Sequence, residues 1–406
     1  MVKKRKDNKG RVLPSNIIQY KDGRYVWRKM INGEKYLLVD TNLVELKKKV
    51  IQKEAEIASG TCRDLGKETL NEWFYKWLKI YKCGIRETTL NNYRSYWKWY
   101  VEESNLGNTK LSKLNRTMII QFYNYLSSEK QLSGGTIRYI NSLIFGTLEE
   151  VRLEGLLPNN PAEGVLTKVK MSESKQREAL TLQEQERFID YIANSNIYNV
   201  YLPLFSFFLG TGCRIGEALG MTWDNIDFTK GVIYVNHTIS YRAIDGTHKF
   251  YITNPKTTSG CREIPMLDEV RDQLVKQKKY QTYFNIPNDI SIDGYRDFVF
   301  TTSSGRPYTQ ESVNRVIRKI IKESNVDEEI QAQKEGRSPI ILPRFSAHTL
   351  RHTFCTRFCE NESNVKVIQQ VMGHSRIDVT LGIYAHATQD KVGEVMENLN
   401  GKIKLS

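Results

Sequence analysis

The chain has 406 residues, of which 40% are hydrophobic, which excludes a single small domain and is apolar enough to build several cores. Its formal net charge is +14, with 60 lysines and arginines against 46 acidic residues. This excess of cations favours a polyanionic partner, with nucleic acid first and an anionic membrane surface second.

Cysteine and hydropathy patterns narrow the class further. The six cysteines show no paired Cys-x-x-Cys spacing, which is typical of thiols in a reducing compartment and not of a disulfide framework. The N-terminus is basic but no apolar core follows it, and the longest apolar run, residues 200–209, is too short to span a bilayer. We therefore expect a soluble cytoplasmic protein without a membrane partner.

Residues 10–40 are predicted to form a small antiparallel sheet. Asp22-Gly23 and Asn32-Gly33 are two-residue hairpin turn signals, and the segments that follow them are rich in β-forming residues. The pattern then becomes helical over residues 42–58 and ends at Ser59-Gly60. We expect three strands and one helix in a domain that spans residues 1–66.

This N-terminal domain is a candidate for binding DNA. Residues 1–60 hold 15 lysines and arginines against 7 acidic residues, a net charge of +8. A sheet that carries cations can lie in a DNA groove, and its candidate contacts are Arg24, Arg28 and Lys29. The alternative is a stability module whose cations only face water.

Residues 67–163 are predicted to form an all-α domain. Apolar residues recur at helical spacing over residues 70–81, and further helices are expected over 88–100, 117–127 and 136–154. The tryptophans here are interpreted as core and not as a base-stacking surface. Arg138 would stand near the N-terminus of the last helix, where it could bind a phosphate, although a plain helix start is an equal alternative.

Residues 164–179 are predicted to be a basic linker. Pro158 and Pro161 end the helical unit, and the segment after them has no apolar period. Its Lys168 and Lys170 are candidates for contact with a phosphate backbone. A capping box at Thr181 then predicts the first helix of a third domain, residues 180–406.

The third domain carries two arginines, two histidines and a tyrosine in an informative order. They are Arg214, His348, Arg351, His374 and Tyr384. Positioned cations supply most of the catalysis in phosphodiester transfer, and the planar fork of arginine stays charged and binds two phosphate oxygens at once. The set of cations plus one weak nucleophile is what breaking and rejoining a phosphodiester without a metal requires.

Local spacing supports this interpretation. His348 and Arg351 are three residues apart, so they share one face of a helix whose N-terminus also favours an anion. His374 follows Gly373 at a predicted helix C-cap, which fixes the direction of a side chain. Tyr384 comes ten residues later, close enough to share the site.

Each of these residues also has a simpler interpretation. Arg214 can pair with Glu217 one turn later, and Tyr384 alone would most often be a core residue. His348 and His352 could bind zinc, but the glutamate of a His-Glu-x-x-His site is missing. No metal is therefore expected.

A glycine-rich string near Arg214 is not interpreted as a cofactor site. Residues 210–216 resemble a dinucleotide loop, but Ile215 stands where the third glycine should be, and no strand clearly precedes them. No Walker A string occurs in the chain. We expect neither ATP nor another cofactor.

The order and spacing of these motifs resemble the tyrosine recombinase (phage-type integrase) family over roughly residues 65–395. The N-terminal domain and the stretch around Tyr384 look most like conjugative-transposon integrases. The segment around Lys256, followed by residues 262–265, looks like the β-hairpin that delivers the catalytic lysine of the family. The other matching strings are the first arginine box at 211–219, the His-x-x-Arg box at 348–354, the Leu-Gly-His segment at 372–375 with Met372 for leucine, and the tyrosine box at 384–388.

The resemblance implies an α+β multidomain fold. It comprises a small N-terminal three-stranded β-sheet plus helix, an all-α core-binding domain, and a mixed, mainly helical catalytic domain with a β-hairpin. It also implies that Tyr384 attacks the scissile phosphate and forms a 3′-phosphotyrosyl link. Arg214, Arg351 and His374 would hold the phosphate, Lys256 would protonate the leaving oxygen, and His348 would assist proton movement.

The partners implied by the resemblance are double-stranded DNA and further copies of the chain. The DNA would be the element ends and the target site. The domains would form a C-shaped clamp on DNA, four protomers would assemble as a homotetramer, and residues 390–400 would dock on a neighbour or pack on their own domain. An excisionase and a DNA-bending host protein are further candidate partners.

Three other functions remain open at this point. A type IB topoisomerase would use the same chemistry without site preference. A non-catalytic DNA-binding regulator could keep the fold after losing the reaction, although all six candidate positions are filled. A metal-dependent hydrolase is the weakest alternative.

Overall fold

The computed structural model describes residues 5–31, 34–58, 68–172, 179–244, 247–255 and 260–387. The chain divides into two compact units, Met1–Lys175 and Gln176–Ser406. Within the described ranges, every helix is too short or too polar to cross a bilayer.

The first unit opens with the predicted antiparallel sheet and helix, which are confirmed. Strands β1 (Ile17–Gln19), β2 (Tyr25–Ile31) and β3 (Glu34–Asp40) pair in that order, and α1 (Leu43–Ala58) follows. Alternate side chains of a strand point to opposite faces. Tyr25 and Trp27 therefore enter a core with Leu46 of α1. The predicted turn at Asn32-Gly33 and helix end at Ser59-Gly60 lie outside the described residues.

Four helices with their own core follow, as predicted. They are α2 (Leu70–Tyr81), α3 (Glu87–Tyr100), α4 (Arg116–Ser128) and α5 (Gly134–Leu153). The tryptophans are core residues: Trp97 is fully buried, its ring stacks 3.7 Å from that of Phe74, and its indole nitrogen donates to Asn71 Oδ1. Trp99, two residues later, is an exception and is exposed.

The segment predicted as a linker differs in its first half. Val165 and Val169 are buried in the helical core, and the Ser127 hydroxyl donates to the carbonyl of Lys170. Two valines four residues apart form an apolar face on a single turn, which is too short for a periodic pattern to reveal. Residues 173–178 lie outside the described residues.

The second unit combines eight helices of the described chain with two small antiparallel sheets. Strands β4, β5 and β8 form one sheet, and β6 pairs with β7 in the other. The elements are α6 (Leu182–Ala193), α7 (Leu202–Thr211), α8 (Ile215–Leu219), β4 (Ile226–Asp227), β5 (Val232–Val235), β6 (Thr238–Ile244), β7 (Thr247–Thr253), β8 (Arg262–Pro265), α9 (Asp268–Tyr283), α10 (Gln310–Glu335), α11 (Ala347–Asn361), α12 (Val365–Met372) and α13 (Ile377–Ala387).

Helix α7 is the centre of this unit. Its phenylalanines Phe205, Phe207 and Phe208 are fully buried, and it packs against α9 and α11. The helix ends at Gly212, whose φ of +60° is the left-handed conformation that glycine adopts without strain. A side chain at Gly212 would also strike Phe354 of α11, since a Cβ would lie 2.4 Å from its ring. The chain that leaves α7 is thereby directed toward α11.

Candidate active site

Three guanidiniums converge on the end of α12. The last carbonyls of a helix have no partner inside the helix. Here Val371 O accepts from Arg262 Nε at 2.6 Å, and Met372 O accepts from Arg351 Nη2 at 2.7 Å. Gly373 O accepts from Arg214 Nη2 at 2.8 Å. Three consecutive carbonyls therefore position three arginines that come from three separate elements.

Arg214 stands at the N-cap of α8 and is held by Glu217. Its backbone N–H and its Nη1 donate to the two carboxylate oxygens of Glu217, at 2.9 and 2.7 Å. Arg262 Nη2 donates to the same carboxylate at 2.9 Å. Burial by itself would raise the pKa of Glu217, but the two guanidiniums hold it at about 2. The pairing that the sequence offered as an alternative for Arg214 is thus present within the cluster itself.

Arg351 lies on α11 and is almost fully buried. Its Nη1 donates to Gly212 O at 2.6 Å, so it caps the end of α7 as well as the end of α12. Burial, together with the neighbouring guanidinium of Arg214, lowers the pKa of Arg351 to about 10, which leaves it charged at neutral pH.

His374 follows the left-handed Gly373 and is buried. Its Nδ1 lies 2.9 Å from the hydroxyl of Thr380, and its backbone carbonyl accepts from Gln369 Nε2 at 3.0 Å. Burial and the guanidiniums of Arg351 and Arg214 lower the pKa of His374 to about 4. The imidazole is therefore neutral at pH 7 and acts as a hydrogen-bonding group.

These side chains share a cavity of about 360 Å³. Arg214, His348, Arg351 and His374 all line it, as do His352 and Cys355 of α11. His348 is exposed at the rim, whereas Arg351 lies one turn deeper. The cavity is open to solvent, and two guanidiniums and three imidazoles line it. Among the described residues, no three histidine, cysteine or carboxylate side chains are placed as a metal site.

Tyr384 lies on α13 next to the cavity but is not one of its lining residues. Its neighbour Ile383 lines the cavity, whereas the Tyr384 ring packs on the cluster of Cys355, Cys359, Ile368 and Met372. Cys355 and Met372 belong to both the cluster and the cavity wall. The tyrosine is thus packed on two side chains that also form part of the cavity wall.

The sixth candidate, Lys256, lies outside the described residues. The strands on either side of it differ from the predicted hairpin: β7 pairs with β6, whereas β8 pairs with β5. Among the described strands of this region, β6 and β7 form the hairpin, and Lys256 falls between β7 and β8 in the sequence. The proline at 255 and the polar run after it break the strand pattern, and the sequence alone did not indicate which strands would pair.

The candidate DNA contacts of the N-terminal sheet have different environments. Arg28 is exposed on the face opposite α1, beside the exposed Leu37. Lys29 points toward α1 and pairs with Glu54 at 2.6 Å. Arg24 pairs with Asp22 in the preceding turn. Of the three, Arg28 alone points away from the helix side without a carboxylate partner among the ion pairs of the described residues.

The other three candidates are exposed on the helical part of the first unit. Arg138, Lys168 and Lys170 all face solvent. The N-terminus of α5 is less open than predicted, because Ser133 caps it and the carbonyl of Ser172 approaches Gly134 so closely that a Cβ would lie 2.8 Å away. Arg138 therefore stands beside a helix start that is already covered.

Two residues of the site were missed by the sequence analysis. Arg262 stands in the string interpreted as part of the lysine hairpin, and no motif of the sequence singles out Thr380. Thr380 is fully buried and fixes the ring of His374. The only available signal for Arg262 was a cation at the start of a strand otherwise suited to burial.

Comparisons with known proteins give one consistent result. Residues 178–391 match the Phage integrase family, and residues 69–127 match the Phage integrase, N-terminal SAM-like domain. The transposase from transposon Tn1545 of Streptococcus pneumoniae is 26% identical, over 98% of this chain and 98% of that protein. The Tn1549 transposon integrase, solved in complex with transposon right end DNA, is 28% identical with a TM-score of 0.72, over 82% of this chain and 100% of that one.

A more distant structure shares the fold. The lambda integrase tetramer bound to a Holliday junction is 19% identical with a TM-score of 0.54, over 92% of this chain and 95% of that chain.

The protonation of His374 can be tested directly. We expect its imidazole to titrate near pH 4, against an ordinary value of 6.5, because burial and the guanidiniums disfavour the imidazolium. Since the unfolded chain binds this proton more readily, the residue's contribution to stability is lost as the pH falls from about 6.5 toward 4. NMR of protein labelled at histidine, assigned with His374→Gln, gives the pKa. A value near 6.5 would contradict a neutral buried imidazole, and inorganic phosphate in the cavity should raise the pKa.

Proposed function

The chain belongs to the phage integrase family, and from this we propose that it is a site-specific DNA recombinase that cuts and rejoins DNA through a 3′-phosphotyrosyl link. The observation that carries the proposal is the convergence of Arg214, Arg351, His348 and His374 on one cavity beside the helix of Tyr384. Fixed donors aimed at one anion are the main source of catalysis in phosphoryl transfer.

The proposed reaction has two matched halves. The Tyr384 oxygen attacks the scissile phosphorus as its proton leaves with help from His348, and the bond to the 5′ oxygen breaks. Lys256 donates a proton to that leaving oxygen, so a 3′-phosphotyrosine and a 5′-hydroxyl result. Attack by another 5′-hydroxyl reverses the step. Because the covalent link conserves the energy of the phosphodiester, no ATP is consumed.

The arginines have a clear division of work in this proposal. Arg214 is partly exposed and lines the cavity, so its fork can bind the non-bridging oxygens. Arg351 also lines the cavity but is more deeply buried, and its positive charge would stabilise the phosphate from the inner side of the cavity. His374 is neutral before DNA binds, and an approaching phosphate stabilises its protonated form, which can then donate to a phosphate oxygen.

Tyr384 does not line the cavity, whereas its neighbour Ile383 does, so the proposed attack includes a movement of the phenol toward the phosphate. Successive residues of a helix point about 100° apart, so a turn of α13 that withdraws Ile383 can bring the phenol toward the cavity. We propose that DNA binding drives this movement. Until then the nucleophile stays packed on Cys355 and Met372.

We further propose that the protein integrates and excises a mobile element of the conjugative-transposon type. The likeness to the Tn1545 transposase and to the Tn1549 integrase supports this assignment. Its DNA partners would be the element ends and the target site, and the shared fold with lambda integrase suggests a homotetramer on a Holliday junction. An excisionase and a DNA-bending host protein are proposed as accessory partners, and the cytoplasm as the place of action.

The domain assignment stays part of this proposal. Residues 1–66 would bind arm-type sites, 67–163 would bind the core site, 164–179 would connect the two units, and 180–406 would carry the chemistry. Arg28 and the exposed cations Arg138, Lys168 and Lys170 are proposed to contact phosphates. The tail after residue 387, with its apolar stripe at 390–400, lies outside the described residues.

The nucleophile can be tested by covalent trapping. Nicked DNA that carries the ends of the element is incubated with wild type and with Tyr384→Phe in EDTA, and the products are run on a denaturing gel. We expect a protease-sensitive protein–DNA band for wild type only, because phenylalanine lacks the attacking oxygen. A band with both proteins would show that a residue other than Tyr384 is the nucleophile. Tight binding without a band would favour a non-catalytic regulator.

Removing one phosphate-binding guanidinium should reduce the rate of DNA cleavage much more than it reduces the affinity for DNA. We expect Arg214→Ala to reduce the single-turnover cleavage rate by a factor on the order of hundreds, the effect of losing one preorganised donor. The same protein should bind linear DNA with nearly wild-type affinity, measured by fluorescence anisotropy, because it retains the other cations of the surface. Cleavage by Arg214→Ala at the wild-type rate would show that Arg214 is not a catalytic residue.

Two adjacent cations offer a matched test of the N-terminal sheet. Each phosphate contact to duplex DNA contributes about −0.9 to the slope of log K against log salt. We expect Arg28→Ala to flatten that slope by roughly one such contact on arm-site DNA. Lys29→Ala should leave it unchanged, because Lys29 already pairs with Glu54. Equal effects of the two substitutions would show that the open face of the sheet is not the DNA-binding face.

A further inference from the structure

We propose that Arg262 is a positioning residue of the recombination centre. It holds Glu217 and the end of α12 in place, and these in turn position the residues that contact the phosphate. The inference rests on the proposed function. Arg262 itself is separate from the phosphate-binding set, because it does not line the cavity.

The contacts of Arg262 point in three directions. Nε donates to Val371 O at 2.6 Å, Nη2 donates to Glu217 Oε2 at 2.9 Å, and Nη1 lies 3.4 Å from Gly260 O. One planar group thus joins the end of α12, the carboxylate of α8 and the chain that leads into β8. Lysine could not reproduce this, because its ammonium is a single point at the end of a flexible stem.

Burial makes these contacts strong determinants of geometry. The side chain of Arg262 is 3% exposed and that of Glu217 is 7% exposed, whereas the side chain of Arg214 is 43% exposed. Arg262 is also fixed by its strand, since β8 pairs with β5 through Val235 opposite Arg262. The rigid inner arginine and its carboxylate therefore form the base on which the outer, phosphate-facing arginine rests.

The positioning reaches His374 as well. Val371 is three residues before His374, and the next two carbonyls are held by Arg351 and Arg214. Without Arg262, Val371 O loses this donor, and Arg214 remains as the ion-pair partner of Glu217 among the described residues. The guanidinium of Arg214 would then be drawn toward the carboxylate and away from the cavity.

A second buried glutamate of the same unit provides a matched control. Glu328 pairs with Arg187 and Arg337, as Glu217 pairs with Arg214 and Arg262, and Arg187 is largely buried like Arg262. Arg187 lies on α6, away from the lining of the 360 Å³ cavity. Arg187→Met and Arg262→Met therefore each remove one of two arginines from a buried carboxylate.

The experiment compares these two full-length variants and Arg262→Lys with wild type. We expect both methionine variants to lower the melting temperature by similar amounts. Arg262→Met should slow single-turnover cleavage of saturating nicked DNA by roughly 10- to 100-fold, with DNA affinity unchanged, as expected when a group that orients reacting side chains is lost. Arg262→Lys keeps the charge and replaces Arg262→Met in the comparison if the methionine variant does not fold. It should also slow cleavage. Arg187→Met should cleave at the wild-type rate.

The pKa of His374 supplies a readout that does not need cleavage. The charge of Arg262 helps to lower this pKa, so Arg262→Met should raise it and Arg187→Met should not. Wild-type cleavage by both Arg262 variants, or equal slowing by Arg187→Met, would overturn the positioning role. If wild type forms no covalent complex, the proposed function fails first, and an unchanged His374 pKa in Arg262→Met would then overturn this inference too.

Discussion

A helix that ends inside a protein leaves carbonyl groups that must find donors, and the rest of the site follows from how α12 meets this demand. Its last carbonyls are bonded by arginines from β8, α11 and the start of α8. These bonds order the guanidiniums, and in the proposed reaction they would do so before any phosphate binds. A centre assembled in advance avoids the reorganisation that would otherwise add to the barrier.

Crowding three guanidiniums also has an electrostatic cost, which one carboxylate offsets. Glu217 lies between Arg214 and Arg262. Its ion pair with Arg262 is buried, whereas its ion pair with Arg214 is open to solvent on the arginine side. A buried ion pair is weak evidence for stability, but it fixes geometry well. Burial and the same positive field lower the pKa of His374 and keep its imidazole neutral. The arginines therefore supply charge that does not change with pH near neutrality. His374 supplies an imidazole that, in the proposed reaction, gains a proton when a phosphate binds.

Much of this fold could be predicted from the sequence, because local signals were strong. Turn dipeptides, helical spacing and the capping box at Thr181 gave elements close to the observed ones. Arg351 and His374 could be ranked as candidates because local spacing placed them on a helix face and at a helix cap, whereas Arg214 was ranked by its place in the order of the motifs. Arg262 could not, since its role depends on a strand pairing and on a helix end 109 residues away. The same limit applies to Lys29, whose partner Glu54 is set by how α1 packs on the sheet.

The shared carboxylate ties the acid tolerance of the second unit to its candidate active site. Glu217 titrates near pH 2 in the fold, against an ordinary value of 4.5. The stabilisation that it provides is complete above about pH 4.5 and is lost as the pH falls toward 2. Protonation would weaken the ion pairs of Glu217 with Arg214 and with Arg262 in a single event. Arg337 and Arg187 likewise hold the pKa of Glu328 at about 2, so acid should weaken two carboxylate clusters of this unit over the same range of pH.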